Sequence, residues 1–247
     1  MRRLAYLSEK AAGAVRAVSM AGCSLNRHGL WGLFKRIAHW HRYRFAQPRI
    51  DAEFGTETLS MVAIEDFSAS GPSVSYAYEY HPTPVDDFEA ILKWLPINYS
   101  NFCFVDLGCG KGLALILAAR FHFKRVIGVE FGRYLHGIAL ANLDKFRRVN
   151  MGAPPIDVIL EDAAEFRFPK EPLVVYLYNP FGPEIVSKVL VNLQTSLSQH
   201  PRMCWVVYLE PLHHEILSGC DFLRTQKVSA SGDPGVPYAV YTSPTGK

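Results

Sequence analysis

The sequence predicts an α/β fold: a doubly wound, mostly parallel seven-stranded sheet with a C-terminal antiparallel strand pair and an N-terminal helical extension. Three observations predict it. From Thr83 onward, short apolar runs of strand length alternate with segments whose apolar residues recur at helical spacing. Continuous apolar runs such as 173–177 need cover on both faces, which a parallel sheet flanked by helices provides. At the end of the chain, runs at 222–228 and 238–242 flank Ser231-Gly232-Asp233-Pro234-Gly235, a turn signal between antiparallel neighbours.

Taken in order, residues 1–50 read as a basic amphipathic helical arm made of two helices. The first, 4–20, is rich in alanine and is broken at 22–26. The second, 28–45, carries Leu30, Phe34, Ile37, His41 and Phe45 at helical spacing, with Trp31, Trp40 and Tyr43 adding aromatic bulk. Gln47-Pro48 ends it. Residues 51–83 form an irregular connecting segment, with a loop signal at 68–73. The alternating domain occupies 84–247. Pro84 sits at the first turn of a helix whose apolar face is Phe88, Ile91, Leu92 and Leu95. Strands at 102–107, 125–130, 157–160, 174–178 and 204–209 follow, interleaved with helices at 112–121, 133–148 and 183–197.

Composition sets the class. Of 247 residues, 49% are hydrophobic and 20% charged, values of an ordinary globular chain. No apolar run approaches the roughly 20 residues of a membrane-spanning helix. Five scattered cysteines lack disulfide or zinc spacing and point to a reducing, cytoplasmic setting. The arginines and scarcity of acids at the start are also compatible with an organellar targeting segment. Ten Lys/Arg against one acid give residues 1–50 a charge of +9, so the net +3 leaves −6 for the remainder. Such an arm fits three roles: gripping RNA phosphates, resting on an anionic membrane surface, or packing its aromatic face on the catalytic domain.

The chemistry concentrates at Asp106-Leu107-Gly108-Cys109-Gly110-Lys111-Gly112, where a strand turns into a helix. Glycines there permit unusual dihedrals and let a ligand approach the backbone. Ligands of open parallel sheets bind beyond the carboxyl ends of such strands. Asp106 ends the first strand, and Glu130 ends the next, 24 positions on, where a carboxylate can accept both hydroxyls of a ribose.

On these residues the chain resembles the class I, seven-strand, Rossmann-like S-adenosylmethionine-dependent methyltransferases, whose first motif, D/E-x-G-x-G-x-G, Asp106 to Gly112 matches at each position. The resemblance spans about 82–242 and implies S-adenosyl-L-methionine as cofactor. It implies that Gly108, Cys109, Gly110 and Gly112 lie against the methionine part and that Asp106 helps hold its amino group. It further implies that Glu130, with Phe131 after it, takes the ribose, and that Asp162 and Ala163, in Glu161-Asp162-Ala163, face the adenine. Tyr178-Asn179-Pro180-Phe181-Gly182 ends the fourth strand where family members that methylate nitrogen carry Asn/Asp-Pro-Pro-aromatic. In them the Asn or Asp orients the amine and the ring packs on it, which implies acceptor roles for Asn179, Pro180 and Phe181, Asn179 also bordering the cofactor. This chain is one proline short of that pattern, and a plain strand-ending turn is the alternative. Tyr80-His81-Pro82-Thr83 is similar to the aromatic-x-Pro-Thr segment of relatives that include protein lysine methyltransferases, making Tyr80 and Thr83 lid residues and 51–83 the segment that carries them; an ordinary aromatic loop is the alternative.

The implied reaction is displacement at the sulfonium methyl, aligned by the protein and needing no metal. The acceptor is not identified by the sequence; the partial motif suggests a nitrogen of a protein side chain or small molecule. RNA delivered by residues 1–50, cofactor binding without catalysis and, more distantly, a nicotinamide-dependent oxidoreductase are the alternatives. Outside the motifs, Lys111 reads as a solvated loop residue and His213-His214 as part of an exposed helix.

Overall fold

The computed structural model describes residues 48–60, 80–230 and 235–243. The two arm helices, the 68–73 loop and most of the final turn therefore lie outside the described residues. All the described residues fall in one unit, 47–247.

Seven strands form one sheet: β1 Cys103–Leu107, β2 Arg125–Glu130, β3 Ile156–Leu160, β4 Leu173–Tyr178, β5 Cys204–Leu209, β6 Arg224–Val228 and β7 Tyr238–Thr242. Their order is β3-β2-β1-β4-β5-β7-β6, with β1 to β5 parallel, β7 antiparallel to β5, and β6 antiparallel to β7. The chain leaves β1 toward β2 and β3 on one side, then returns to β4 on the other. The carboxyl ends of β1 and β4 thus flank the switch point where open α/β sheets form their crevice.

Among the described residues six α-helices accompany the sheet, α1 Pro48–Phe54, α2 Val85–Trp94, α3 Leu113–Ala119, α4 Arg133–Val149, α5 Pro183–Gln199 and α6 His214–Ser218, with a 3-10 turn at Tyr99–Asn101. Period-two alternation sends the strand side chains to two cores. Phe104, Val126, Val174, Tyr176 and Trp205 join α2 and α3 on one face. Val105, Ile127, Val175, Leu177 and Val206 join α5 on the other. The first core is aromatic at its centre: Phe88 meets Phe104 at 5.9 Å and Tyr176 at 5.2 Å, edge to face, and Phe123 meets Phe104 at 5.3 Å. That cluster fixes α2 against β1 and β4, and with it the segment 80–84 that leads into the helix.

One element departs from the expected layout. The segment read as irregular opens with α1, which has a proline at its start and Asp51 in its first turn. Its last residue, Phe54, sits edge-on to Phe146 of α4, centroids 4.9 Å apart. No helix among the described residues is long and apolar enough to cross a membrane.

Candidate functional site

β1, a central strand, carries Asp106 near its carboxyl end, and the chain then turns on glycines. Gly108, Gly110 and Gly112 all have positive φ (88°, 53° and 84°), which β-carbons resist. Two of them also face close neighbours: a β-carbon on Gly108 would lie 2.6 Å from Cβ of Pro180, and one on Gly110 2.2 Å from the Tyr80 ring. The turn is pinned to β2, since the amides of Gly108 and Cys109 both donate to the Val129 carbonyl (2.9 and 3.0 Å). Gly112 caps α3, and its amide donates to Cys109 O at 2.9 Å.

Two buried carboxyl groups meet at this turn. Glu130, 3% exposed, accepts from the Gly110 amide on Oε2 (2.9 Å) and from the Gly132 amide on Oε1 (2.7 Å). Burial nevertheless pushes its carboxyl up to about 7, the backbone donors pulling the other way. Asp106, also 3% exposed, is held well above the usual carboxylate range by burial and by the charge of Glu130. Burial likewise keeps the Cys109 thiol protonated, so it is no nucleophile. Beyond β3, Asp162 Oδ1 accepts from the Ala164 amide at 2.9 Å, folding 161–164 into a side-chain-capped turn beside Glu130. The Glu161 amide donates to Glu130 O at 3.1 Å.

Across the cleft lies the end of β4. Asn179 has a left-handed φ of 39°, unusual for a residue other than glycine, and its Oδ1 accepts from the Tyr208 hydroxyl at 3.4 Å. Tyr176 and Tyr178 line the same side, and the Tyr176 hydroxyl donates to Thr83 Oγ1 at 3.4 Å. Tyr80 closes the rim: its ring covers Gly110 and its hydroxyl donates to the Thr58 carbonyl at 2.8 Å.

These groups surround one open cleft at the carboxyl ends of β1 and β4. Asp106, Gly108, Cys109, Gly110, Glu130, Phe131, Asp162, Ala163, Asn179, Pro180, Phe181, Tyr80 and Thr83 line it; Gly112 does not, and serves as the cap of α3 instead. Tyr176, Tyr178, His81 and Ile185 also line it, and sequence reasoning missed them. In β4, Leu-Val-Val-Tyr-Leu-Tyr reads as one apolar run; only the alternation of tyrosines at 176 and 178 hinted that one edge meets a ligand.

Two readings need correction. Lys111 is buried, 1% exposed, and its ammonium donates to both oxygens of Glu57 (2.7 and 2.9 Å) and to Ser60 Oγ. Its partners stand more than fifty positions away, so nothing local announced them. His213 and His214 are half-buried: His214 Nδ1 lies 2.9 Å from the Tyr241 hydroxyl, because α6 lies back toward β7. Among the described residues no cluster of three or more His, Cys, Asp or Glu could hold a metal ion.

No protein-family model and no curated protein matches the sequence. Solved structures do. A protein of Escherichia coli provisionally named methyltransferase yhhF aligns with a TM-score of 0.50 at 16% identity, covering 65% of this chain and 88% of that one. A provisionally named RNA methyltransferase of Pyrococcus horikoshii gives 0.48 at 16%, covering 72% and 90%. Magnesium protoporphyrin IX methyltransferase of Synechocystis with bound SAM gives 0.47 at 16%, covering 64% and 78%. At such identities the likeness speaks to fold. By its sheet order, its antiparallel β7 and the alignment with the Escherichia coli protein, the chain has the seven-stranded fold of the class I S-adenosylmethionine-dependent methyltransferases.

Proposed function

We propose that this protein uses S-adenosyl-L-methionine to methylate a nitrogen of a protein side chain or small molecule. One observation carries the reading: the glycine turn, the buried carboxyls of Asp106 and Glu130, the 161–163 turn and Asn179-Pro180-Phe181 all border a single cleft at the switch point of the sheet. Buried carboxyl groups with raised affinity for protons are the mark of a site completed by a ligand, here one bringing a positive charge and hydroxyl donors. When bound, the cofactor supplies a methyl group on an electrophilic sulfonium. The chain's own part is alignment. Asp106 meets the amino group, Glu130 the ribose hydroxyls, and Asp162 with Ala163 the base. Pro180, pressed on Gly108, fixes the Asn179 side chain and the β4 carbonyl end so that the acceptor lone pair can meet the methyl group in line. Tyr80 and Thr83, carried by 51–83, exclude water from above.

An amine is favoured by the lining itself. Among the described residues Asp106, Glu130, Glu161 and Asp162 border the cleft, and no lysine or arginine does. Three of these acids serve the cofactor, and the acceptor side of the cleft is neutral, lined by Tyr176, Tyr178, Asn179, Pro180 and Phe181, which suits an amine held by Asn179 and an aromatic ring. The decisive measurement is equilibrium binding of labelled S-adenosylmethionine to the full chain, followed by labelling of a cell lysate. Label in protein or small amines is expected; absence of binding would defeat the proposal.

The +9 charge of residues 1–50 favours a second reading, an RNA methyltransferase whose arm, acting as a separate domain, delivers the substrate. Deleting 1–50 is then expected to abolish RNA affinity and its salt dependence while sparing cofactor binding; unchanged RNA affinity counts against it. Cofactor binding without catalysis rests on the missing second proline after Asn179, and label transfer decides that too. The scattered, unpaired-by-spacing cysteines support a cytoplasmic protein.

A further inference from the structure

Lys111 is an odd residue to bury. It lies in the cofactor turn, yet its side chain leaves the cleft and runs the other way, beneath residues 56–60. A buried ammonium is costly unless paired and hydrogen-bonded, and here both conditions are met by one short stretch of chain. Glu57 takes it with both carboxylate oxygens, and Ser60 Oγ supplies a further contact. The fit is reinforced by Asn142 of α4, itself 1% exposed. Its Nδ2 donates to the carbonyls of both Glu57 and Lys111 (3.0 Å each), and its Oδ1 accepts from the Glu57 amide at 2.8 Å.

The same stretch is tied at two further points. Thr56 and Thr58 bond the Asp51 carboxylate of α1 at 2.6 to 3.1 Å. The Thr58 carbonyl receives the Tyr80 hydroxyl, whose ring covers Gly110 and lies 5.6 Å from the Lys111 ammonium. A continuous path of contacts therefore runs from Lys111 in the turn, through Glu57 and Thr58, to Tyr80 over the turn's cleft side. Glu57 is half-exposed, so this ion pair can open to water without unfolding the sheet.

We infer that Lys111, Glu57 and Asn142 are positioning residues that latch residues 56–60 to the cofactor turn and thereby hold Tyr80 over the bound cofactor. The inference rests on the S-adenosylmethionine reading and names no contact between Lys111 and the ligand. Its consequence is coupling in both directions. Cofactor binding tightens the latch, and breaking the latch weakens the cofactor by the same factor.

The test uses the full chain, S-adenosylhomocysteine as probe, and the variants Lys111→Met, Glu57→Gln and their double. Lys111→Met is expected to speed amide exchange in 56–60 and 80–83 without ligand and to weaken the probe about tenfold. The double variant is expected to lose no more than the worse single one, since both remove one interaction. Leu193→Ala, on the opposite face of the sheet, controls for general destabilisation and is expected to leave affinity unchanged. Faster exchange with wild-type affinity would make the latch a plain tether and overturn the inference. Probe binding by the wild type with an unaltered Lys111→Met variant overturns it alone. A wild type that binds no probe overturns the cofactor reading, and this inference with it.

Discussion

Gly110→Ala is expected to weaken S-adenosylhomocysteine binding by about 100-fold or more, equivalent to roughly 3 kcal/mol. The added methyl has nowhere to go. It would stand 2.2 Å from two atoms of the Tyr80 ring, and the residue keeps a φ of 53°, where alanine costs about 1–2 kcal/mol. The turn cannot yield, because the flanking amides are committed to Val129 O and the Gly110 amide to Glu130. Tyr80 must therefore swing away, giving up its bond to Thr58 and opening the rim of the cleft. Overpacking of this kind costs about 1–3 kcal/mol in a folded protein, so a lower melting temperature accompanies the loss. Gly137→Ala provides the contrast. It lies on the exposed side of α4 with nothing within 4 Å of a new β-carbon, and removing a helical glycine stabilises by about 1 kcal/mol. Titration calorimetry on both variants decides the matter: a Gly110→Ala protein with wild-type affinity would mean that Tyr80 does not cover the ligand.

The contrast between these glycines shows where sequence suffices and where it stops. Strands were legible because each is a short apolar run bounded by turn residues; β2 at Arg125–Glu130 and β5 at Cys204–Leu209 fall where the pattern puts them. The turn and its two acids were legible because their spacing is local to one strand-turn-helix-strand unit. Nothing in the sequence distinguishes Gly110 from Gly112, although one meets Tyr80, thirty positions away, and the other caps a helix. Lys111 fails for the same reason: a charged residue in a glycine loop looks solvated until Glu57 is brought over it. Helix α1 has seven residues, too few for its periodicity to register. His213 and His214 looked exposed because a short polar helix gives no sign of the Tyr241 hydroxyl it leans on. In each case the missing information is a contact made by folding, and the site is assembled mostly from such contacts.

Proton linkage at Glu130 gives the second large effect. Its carboxyl titrates near 7 in the folded chain against 4.5 ordinarily, so between those values the folded state holds a proton that the unfolded state has released. Through Glu130, stability without ligand is accordingly expected to fall as pH rises from about 4.5 to 7, by about 3 kcal/mol, and Asp106, raised likewise by burial, adds to the fall. Ligand affinity must run the opposite way. Backbone amides of Gly110, Gly132 and Phe131 already bond the carboxylate, and the ribose hydroxyls need the lone pairs left over, which an ionised carboxylate offers and a protonated one does not. S-adenosylhomocysteine is therefore expected to bind at least about tenfold tighter at pH 8 than at pH 6, with a proton released from Glu130 on binding at the lower pH. Calorimetry in two buffers of different ionisation enthalpy reads that proton directly. Glu130→Gln removes the titration and flattens the profile, but it does not mimic the ionised acid. Its amide nitrogen must face a backbone N–H group that now donates to Glu130, leaving a donor against a donor in a buried site, so affinity is expected to stay about 100-fold below wild type at every pH. A wild-type affinity independent of pH between 6 and 8 would show that Glu130 is not the group that receives the ribose.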